Sequence, residues 1–105
     1  MTNPATAEEI ARVPLTTSME VEAAALSAAA AFPKWRRTPC GERVQYLFKF
    51  KQLLEQNFSE LARVITIECG KTLDESRGEL RRGIENVEAA CAMPALLQGV
   101  NSEGI

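Results

Sequence analysis

The residues that could carry out chemistry are few in this 105-residue chain, and the most suggestive run is "ECGKT", from Glu68 to Thr72. In phosphate-binding loops that end in Gly-Lys-Thr, the lysine contacts phosphate and the threonine binds magnesium. Such a loop also needs a glycine about five residues before the last one, and Ile65 stands there. The run is therefore more typical of a break between two helices. Gly70 would end the first helix in the left-handed conformation, and Thr72 with Glu75 would form the capping box of the second.

The three cysteines, Cys40, Cys69 and Cys91, are the next candidates for a nucleophile or a zinc ligand, and the chain has no histidine to accompany them. Their spacing gives no C-x-x-C zinc pattern, and an odd number gives no closed disulfide framework. A catalytic thiol also needs an accompanying base, which none of the three has in its sequence context. We predict no catalytic residue and no metal site in this chain, and we interpret the cysteines as reduced thiols of a cytoplasmic protein.

Composition excludes two classes of partner. Twelve basic and fourteen acidic residues, with a pI near 5.2, give no attraction for nucleic acid or for an anionic membrane. The first ten residues lack the basic and apolar regions of a signal peptide, and the alanine run near Leu26 is too short to span a membrane. Trp35 lies among basic residues, but after Phe32 near a helix end it is more typical of a core residue than of a nucleic-acid surface.

The elements that must position these residues are four helices and one short strand. The strand is predicted from Glu9 to Val13, where Pro14 stops it. The helices are predicted from Thr17 to about Phe32, from Thr38 through "GERVQYLFKFKQLLEQN", from Ser59 to Gly70, and from Thr72 into "MPALLQG", where Pro94 bends the last helix. The fold class is thus mostly α.

Two features of this inventory require additional chain. The second helix carries apolar residues over more than half of its circumference, so it should be covered on two sides. The lone strand needs a partner for its backbone groups, and no other segment has a strand pattern. We therefore interpret residues 1–105 as a single, incomplete domain.

Six ordered runs resemble the amino-terminal region of the aldehyde dehydrogenase superfamily: "NPAT", "IARVPLTT", "AAFPKWRRTP", "RVQYLFKFKQLLEQN", "ELARVITIECGKTLDESRGEL" and "RRGIENVEAACAMPALLQG". Within that superfamily, "GELRRGIENVEAAC" followed by "LLQG" most resembles the CoA-acylating methylmalonate-semialdehyde dehydrogenases. The resemblance implies that this stretch is the N-terminal helical layer of an α/β NAD-binding domain, preceded by one strand of a small hairpin whose partner lies upstream of Met1.

The resemblance also implies an activity: oxidation of an aldehyde through a cysteine thiohemiacetal, hydride transfer to NAD, and transfer of the acyl group to coenzyme A. The segments that hold the nucleophile, the base and the cofactor contacts in this family do not occur here. The chain alone is therefore predicted to be inactive and to bind no cofactor. Its expected partners are the remainder of the dehydrogenase chain or other dehydrogenase subunits.

Arg82 is the one residue with a functional assignment. It matches the position where the methylmalonate-semialdehyde branch has an arginine that receives the substrate carboxylate, and a guanidinium suits a carboxylate because it can form two charge-assisted hydrogen bonds. On the helical wheel Arg82 lies opposite an apolar stripe predicted to face inward, formed by Leu80, Ile84, Val87 and Cys91. The alternative is a solvated arginine paired with Glu79 or Glu85. Arg81, four residues before Glu85, is predicted to lie on the surface and to pair with it.

Two functional classes remain open from the sequence. The chain is either the N-terminal part of a CoA-acylating semialdehyde dehydrogenase or a non-catalytic helical piece, such as a gene remnant, that docks on a full-length dehydrogenase. A reading frame that continues beyond Ile105 would distinguish them.

Overall fold

The computed structural model describes residues 1–100 and 102–104, and its regular structure is helical. In this part of the chain five helices follow one another: α1 (Ser18–Arg37), α2 (Cys40–Gln56), α3 (Phe58–Cys69), α4 (Leu73–Cys91) and α5 (Met93–Leu96). The prediction of a mostly α chain is confirmed. The last predicted helix is divided, because α4 ends at Cys91 and Pro94 lies in the first turn of the short α5, where its missing N–H removes no hydrogen bond.

Capping boxes begin α1 and α4, as the sequence predicts. The Glu20 backbone N–H donates to Thr17 Oγ1 at 3.3 Å, and the Glu20 carboxylate accepts from the Thr17 N–H at 2.7 Å. The same two bonds measure 3.3 and 3.0 Å between Thr72 and Glu75. Gly70 ends α3 with a φ of 69°, the predicted left-handed conformation.

The boundary between α1 and α2 differs from the prediction. α1 continues through Pro33 to Arg37, and Thr38 does not cap α2. The Thr38 hydroxyl instead donates to the carbonyl of Lys34 at 3.2 Å, so it satisfies the end of α1. Pro39 explains where α1 stops, because proline disfavours helical geometry in the preceding residue, and Thr38 has an extended ψ of 125°.

The predicted strand from Glu9 to Val13 is not formed. A single antiparallel bridge joins Thr2 to Glu9 and closes a turn within the first residues of the chain. The Asn3 N–H donates to the Glu8 carbonyl at 2.8 Å, and the Ile10 N–H donates to the Met1 carbonyl at 3.0 Å. In the described residues, the start of the predicted strand thus pairs with the first three residues of the chain.

The N-terminal turn is anchored at the connection between α3 and α4. A Cβ atom added to Gly70 would lie only 2.8 Å from Cγ of Pro4. No side chain fits between the Gly70 backbone and the proline ring at that distance, and an L-residue would also be strained at this φ. Gly70 therefore serves two purposes, because it ends α3 and admits the proline ring.

Helices α2, α3 and α4 pack together into a small bundle, with α5 against α2 and α4. Val44, Ala62 and Ile84 are the buried apolar residues of the described chain, contributed by α2, α3 and α4 in turn. Ser76 is also fully buried, and its hydroxyl forms a hydrogen bond of 2.8 Å with the hydroxyl of Thr66 on α3. Each of the three helices thus contributes to one small core.

The packed face of α2 leaves large apolar residues uncovered on both of its flanks. Its exposed apolar residues retain 43 to 66% of their accessible surface, and they are Tyr46, Phe48, Phe50 and Leu53. This agrees with the expectation that α2 has apolar side chains on two sides, of which α3, α4 and α5 cover one.

α1 projects away from the bundle. Every residue of α1 is exposed, and no Cα atom of α1 lies within 8 Å of another described helix. Its link to α2 is a tilted contact between the rings of Trp35 and Tyr46, whose centroids are 5.6 Å apart. Trp35 keeps 45% of its surface, so its assignment to a core is wrong for the described residues.

The overall dimensions reflect this arrangement. The molecule measures 63 by 39 by 29 Å, and its radius of gyration is 19.4 Å, whereas a compact chain of this length has about 13 Å. Its accessible surface of 8586 Å² exceeds the value for a compact monomer of this mass by about 2,800 Å².

Candidate functional site

Arg82 lies on the outer face of α4, one turn after Gly78. Its guanidinium folds back over that glycine, so that Nη1 is 3.6 Å from the position of a Cβ built there. The side chain is exposed, and within the described part of the chain it forms no ion pair with Glu79 or Glu85. The structure therefore lacks the local ion pair that the alternative interpretation assigned to Arg82 among the described residues.

Glu79 is held by a different cation. Lys71 Nζ donates to Glu79 Oε2 and forms an ion pair with it, which links the α3–α4 connection to the middle of α4. The hydrogen bond and the attraction to the carboxylate raise the pKa of Lys71, while the same hydrogen bond lowers the pKa of Glu79, with a smaller contribution from Arg82. The lysine of the Gly-Lys-Thr run is therefore a partner of Glu79.

Arg81 does not pair with Glu85, and that prediction is wrong. Its Nη1 donates to Glu55 Oε1 of α2 at 2.8 Å, and its guanidinium carbon lies 4.8 Å from the ring centroid of Phe58. Arg81 thus joins α4 to the junction between α2 and α3. Sequence reasoning missed both partners because they are more than twenty residues away, beyond the reach of any helical spacing rule.

The opposite face of α4 points inward, as its spacing predicts. Ile84 is fully buried, and Leu80, Val87 and Cys91 are half-buried. On the side of Arg82, Gly78 and Met93 are half-buried and Ala89 is exposed. The two arginines therefore differ in their contacts, because Arg81 binds residues of α2 and α3, whereas Arg82 lies on the outer face of α4.

The three cysteines form no disulfide among the described residues. Cys40 and Cys91 are half-buried and Cys69 is exposed, all as free thiols. Within residues 1–100 and 102–104 there is no cluster of three metal-ligating side chains. None of the described helices combines the length and the apolar character that crossing a membrane requires.

Two open grooves occur on the surface. One, of about 490 Å³, lies along α3 between Ser59 and Ile67. The other, of about 360 Å³, lies at the junction of α1 and α2, with Trp35 and Tyr46 on its walls. Neither groove is lined by Arg82, which is exposed on the surface of α4.

Comparison with known proteins gives consistent matches. The sequence model of the aldehyde dehydrogenase family matches residues 1–104. The chain is 50% identical over 103 residues to the malonate-semialdehyde dehydrogenase of Pseudomonas aeruginosa, an alignment that covers 98% of this chain and 21% of the relative. It is 52% identical over 97 residues to malonate-semialdehyde dehydrogenase 1 of Shouchella clausii and to malonate-semialdehyde dehydrogenase 2 of Bacillus thuringiensis, covering 92% of this chain and 20% of each relative. The chain thus spans about a fifth of the length of these curated relatives.

Proposed function

The chain belongs to the aldehyde dehydrogenase family, and from that premise we propose that it forms the N-terminal part of an NAD-dependent, CoA-acylating dehydrogenase of malonate or methylmalonate semialdehyde. The observation that carries the proposal is the identity of half the residues, across 98% of the chain, with a malonate-semialdehyde dehydrogenase. The nucleophile, the base and the cofactor sites would belong to polypeptide outside residues 1–105. A cytoplasmic location and association with further dehydrogenase subunits are part of the same proposal.

In this proposal residues 1–105 are one incomplete domain, the helical layer on an NAD-binding domain. The exposed apolar residues of α2 support it, since four large side chains on the two flanks of its packed face remain open to solvent. An excess of about 2,800 Å² of accessible surface over a compact monomer also supports it, because single domains of this size bury more of their chain. The adjoining parallel sheet would cover these side chains.

Arg82 is the substrate-binding residue of the proposal. A semialdehyde acid presents a carboxylate, and a guanidinium can hold it through two parallel N–H···O bonds. Two observations support this role. Among the described residues Arg82 is not paired with Glu79 or Glu85, and Lys71 already occupies Glu79. Holding the carboxylate would fix the position of the aldehyde carbon relative to the nucleophile, which is how positioning raises kcat/KM.

The Gly-Lys-Thr run does not fit the phosphates of a nucleotide cofactor. Gly70 ends a helix and contacts Pro4, and Lys71 is bound to Glu79, so the Gly-Lys-Thr run offers no loop for phosphates. In the proposal, NAD and coenzyme A bind to the remainder of the enzyme.

The test uses a chimaera in which residues 1–105 replace the matched region of the Pseudomonas aeruginosa dehydrogenase. We expect Arg82→Leu to lower kcat/KM for malonate semialdehyde roughly thirty-fold to a thousand-fold, because a charge-assisted bidentate contact is lost. Activity toward propanal, which has no carboxylate, should be retained. Steady-state kinetics with both substrates measures the difference.

Arg77→Leu is the matched control. Arg77 is also an exposed arginine of α4, paired with Asp74 at 3.1 Å, and its loss should change either rate by only about a factor of two. Arg81 is unsuitable as a control because it binds Glu55 and Phe58. Equal losses toward malonate semialdehyde and propanal in Arg82→Leu would reduce Arg82 to a structural residue.

A second candidate function is a non-catalytic piece that docks on a full-length dehydrogenase. The exposure of α1 and of the outer side of α2 favours it, since both are surfaces for another protein. The nucleotide sequence after the codon for Ile105 separates the two candidates. A dehydrogenase reading frame that continues there supports the enzyme, and a stop codon supports the docking piece.

A further inference from the structure

Lys71 has a fixed position beside α4, although it lies in a connection between two helices. The residue before it, Gly70, ends α3 with a φ of 69°, and the residue after it, Thr72, is the N-cap of α4. Its Nζ donates to Oε2 of Glu79, which lies about two turns into α4, and the two side chains form an ion pair. Each side chain keeps less than half of its accessible surface. The pair is therefore partly shielded from solvent, which strengthens the attraction between the two charges.

Arg82 follows Glu79 by about one turn of α4. Residues three apart on a helix are neighbours, so a glutamate and an arginine at this spacing attract each other. The Arg82 guanidinium folds over Gly78, the residue before Glu79, with Nη1 3.6 Å from the position of a Cβ built there. The hydrogen bond from Lys71 is the main cause of the lowered pKa of Glu79, and the charge of Arg82 makes a smaller contribution. Both cations thus attract one carboxylate, and Lys71 is the one bonded to it among the described residues.

Glu79 is the carboxylate of this cluster that could bind either cation. Glu75 also attracts Lys71, but its Oε2 already accepts from the backbone N–H and the hydroxyl of Thr72. Without Lys71, Glu79 would be left with Arg82 as the cation at helical spacing. A guanidinium bound to Glu79 would hold a second carboxylate less tightly, because its charge is balanced and its paired N–H groups are occupied.

We propose that Lys71 is a positioning residue, which binds Glu79 and thereby keeps the Arg82 guanidinium available for the substrate carboxylate. This inference rests on the proposed function, since it concerns the same carboxylate site on Arg82. Lys71 contacts no substrate in this proposal and acts through Glu79. The Gly-Lys-Thr run thus contributes to the binding of an anionic substrate without binding phosphate.

The first experiment follows the titration of the Glu79 carboxyl group by NMR in the 105-residue chain, so its readout does not depend on activity. In Lys71→Met, Arg82 should take over the carboxylate and keep the pKa of Glu79 below 4.5. In Lys71→Met combined with Arg82→Leu, the pKa should be higher than in Lys71→Met alone, because both cations are gone. Identical titrations in the single and the double variant would overturn the proposal, since Arg82 would then not bind Glu79.

The second experiment measures steady-state kinetics in the chimaera with the Pseudomonas aeruginosa dehydrogenase. Lys71→Met should lower kcat/KM for malonate semialdehyde about three-fold to ten-fold, mainly through KM, and should change that for propanal less than about two-fold. The loss should be smaller than in Arg82→Leu, because the substrate can still displace Glu79 from the guanidinium.

Two further variants test whether Lys71 acts through the charge of Glu79. Lys71→Arg should keep the ion pair and the wild-type kcat/KM. Glu79→Gln added to Lys71→Met should restore kcat/KM for malonate semialdehyde, because a neutral amide does not compete for the Arg82 guanidinium. A merely structural role of Lys71 would not be rescued by removing the charge of its partner. Failure of Glu79→Gln to restore kcat/KM would therefore overturn the proposal.

Lys51→Met is the matched control, because Lys51 also binds a glutamate of α4, Glu88, at 2.6 Å. It should change kcat/KM for either substrate by only about a factor of two. Equal losses toward malonate semialdehyde and propanal in Lys71→Met would make Lys71 a structural residue. A selective loss in Arg82→Leu without one in Lys71→Met would overturn the role of Lys71 alone, whereas equal losses in Arg82→Leu would overturn the carboxylate site itself.

Discussion

α1 and α4 begin in the same way and end in different surroundings. Both open with a Thr-x-x-Glu capping box, and the hydroxyl of each threonine lies 2.8 Å from the glutamate carboxylate. Yet α4 has two fully buried residues, Ser76 and Ile84, and α1 has none. The comparison shows that a capping box determines where a helix starts but contains no information about what the helix packs against.

The difference arises from the side chains behind each cap. The inward face of α4 carries Leu80, Ile84, Val87 and Cys91, branched or polarisable side chains at helical spacing that fill the space between α2 and α3. α1 is instead rich in alanine, whose side chain buries little apolar surface. Matched substitutions in α1 and α4 should therefore have different effects on stability.

The largest effect is expected in the core. Ile84→Ala should lower the free energy of unfolding by about 2–5 kcal/mol, because a fully buried isoleucine leaves a cavity between α2, α3 and α4. Leu26→Ala in α1 is the control: Leu26 is 64% exposed, and its change should stay within about 0.5 kcal/mol. Urea denaturation followed by circular dichroism measures both. Similar losses in the two variants would mean that α1 is packed as tightly as α4.

Removing the two caps should give an intermediate effect that differs in kind. Thr72→Ala should lower the free energy of unfolding by about 1 kcal/mol, since α4 belongs to the cooperative bundle. Thr17→Ala should leave that value unchanged and only accelerate amide hydrogen exchange in the first turn of α1, where the Glu20 N–H loses its acceptor. A global loss of stability in Thr17→Ala would contradict the separation of α1 from the bundle.

Acid should have the smallest effect and should act mainly on α4. Four carboxylates have a lowered pKa, and three of them lie on α4: backbone and side-chain hydrogen bonds from Thr72 lower the pKa of Glu75, and hydrogen bonds from Lys71 and Lys51 lower those of Glu79 and Glu88. The fourth is Glu20 of α1, where Thr17 has the same effect. Because each folded pKa is below the unfolded value of 4.5, the stabilisation is present above that pH and is lost as the pH falls through the folded pKa.

We therefore expect the thermal midpoint of the bundle to fall as the pH drops below 4.5, with a smaller drop in Glu75→Gln, which has no carboxylate to protonate at the cap. Glu20→Gln should leave the acid dependence of the bundle as it is in the wild-type chain. If Glu20→Gln and Glu75→Gln reduced it equally, both caps would be part of one cooperative unit.

The sequence was informative where structure depends on near neighbours. The caps at Thr17 and Thr72, the left-handed Gly70 and the inward stripe of α4 were all predicted, because each depends on residues within about one or two helical turns. Thr38 was assigned to the wrong helix, although it too is local. A threonine between two helices can satisfy either one, and Pro39 decided the outcome by fixing the preceding backbone.

The parts that were not predicted depend on distant residues. The bridge between Thr2 and Glu9 replaced a strand whose pattern alone could not identify its partner. Arg81 was assigned to Glu85, one turn away, whereas it contacts Glu55 because the crossing of α2 and α4 brings that carboxylate closer. The pairing of Lys71 with Glu79 was also missed. It requires the chain to turn at Gly70, and no spacing rule spans that turn.

The hydroxyl pair between Thr66 and Ser76 has a consequence for the uniqueness of the fold. Apolar faces tolerate sliding, so α4 could shift along α3 by one turn, about 5.4 Å, and still bury aliphatic carbon. Such a shift would leave the fully buried Ser76 hydroxyl without its partner 2.8 Å away, and an unsatisfied buried hydroxyl is costly. The pair thus restricts α3 and α4 to a single register, which apolar packing alone would not specify.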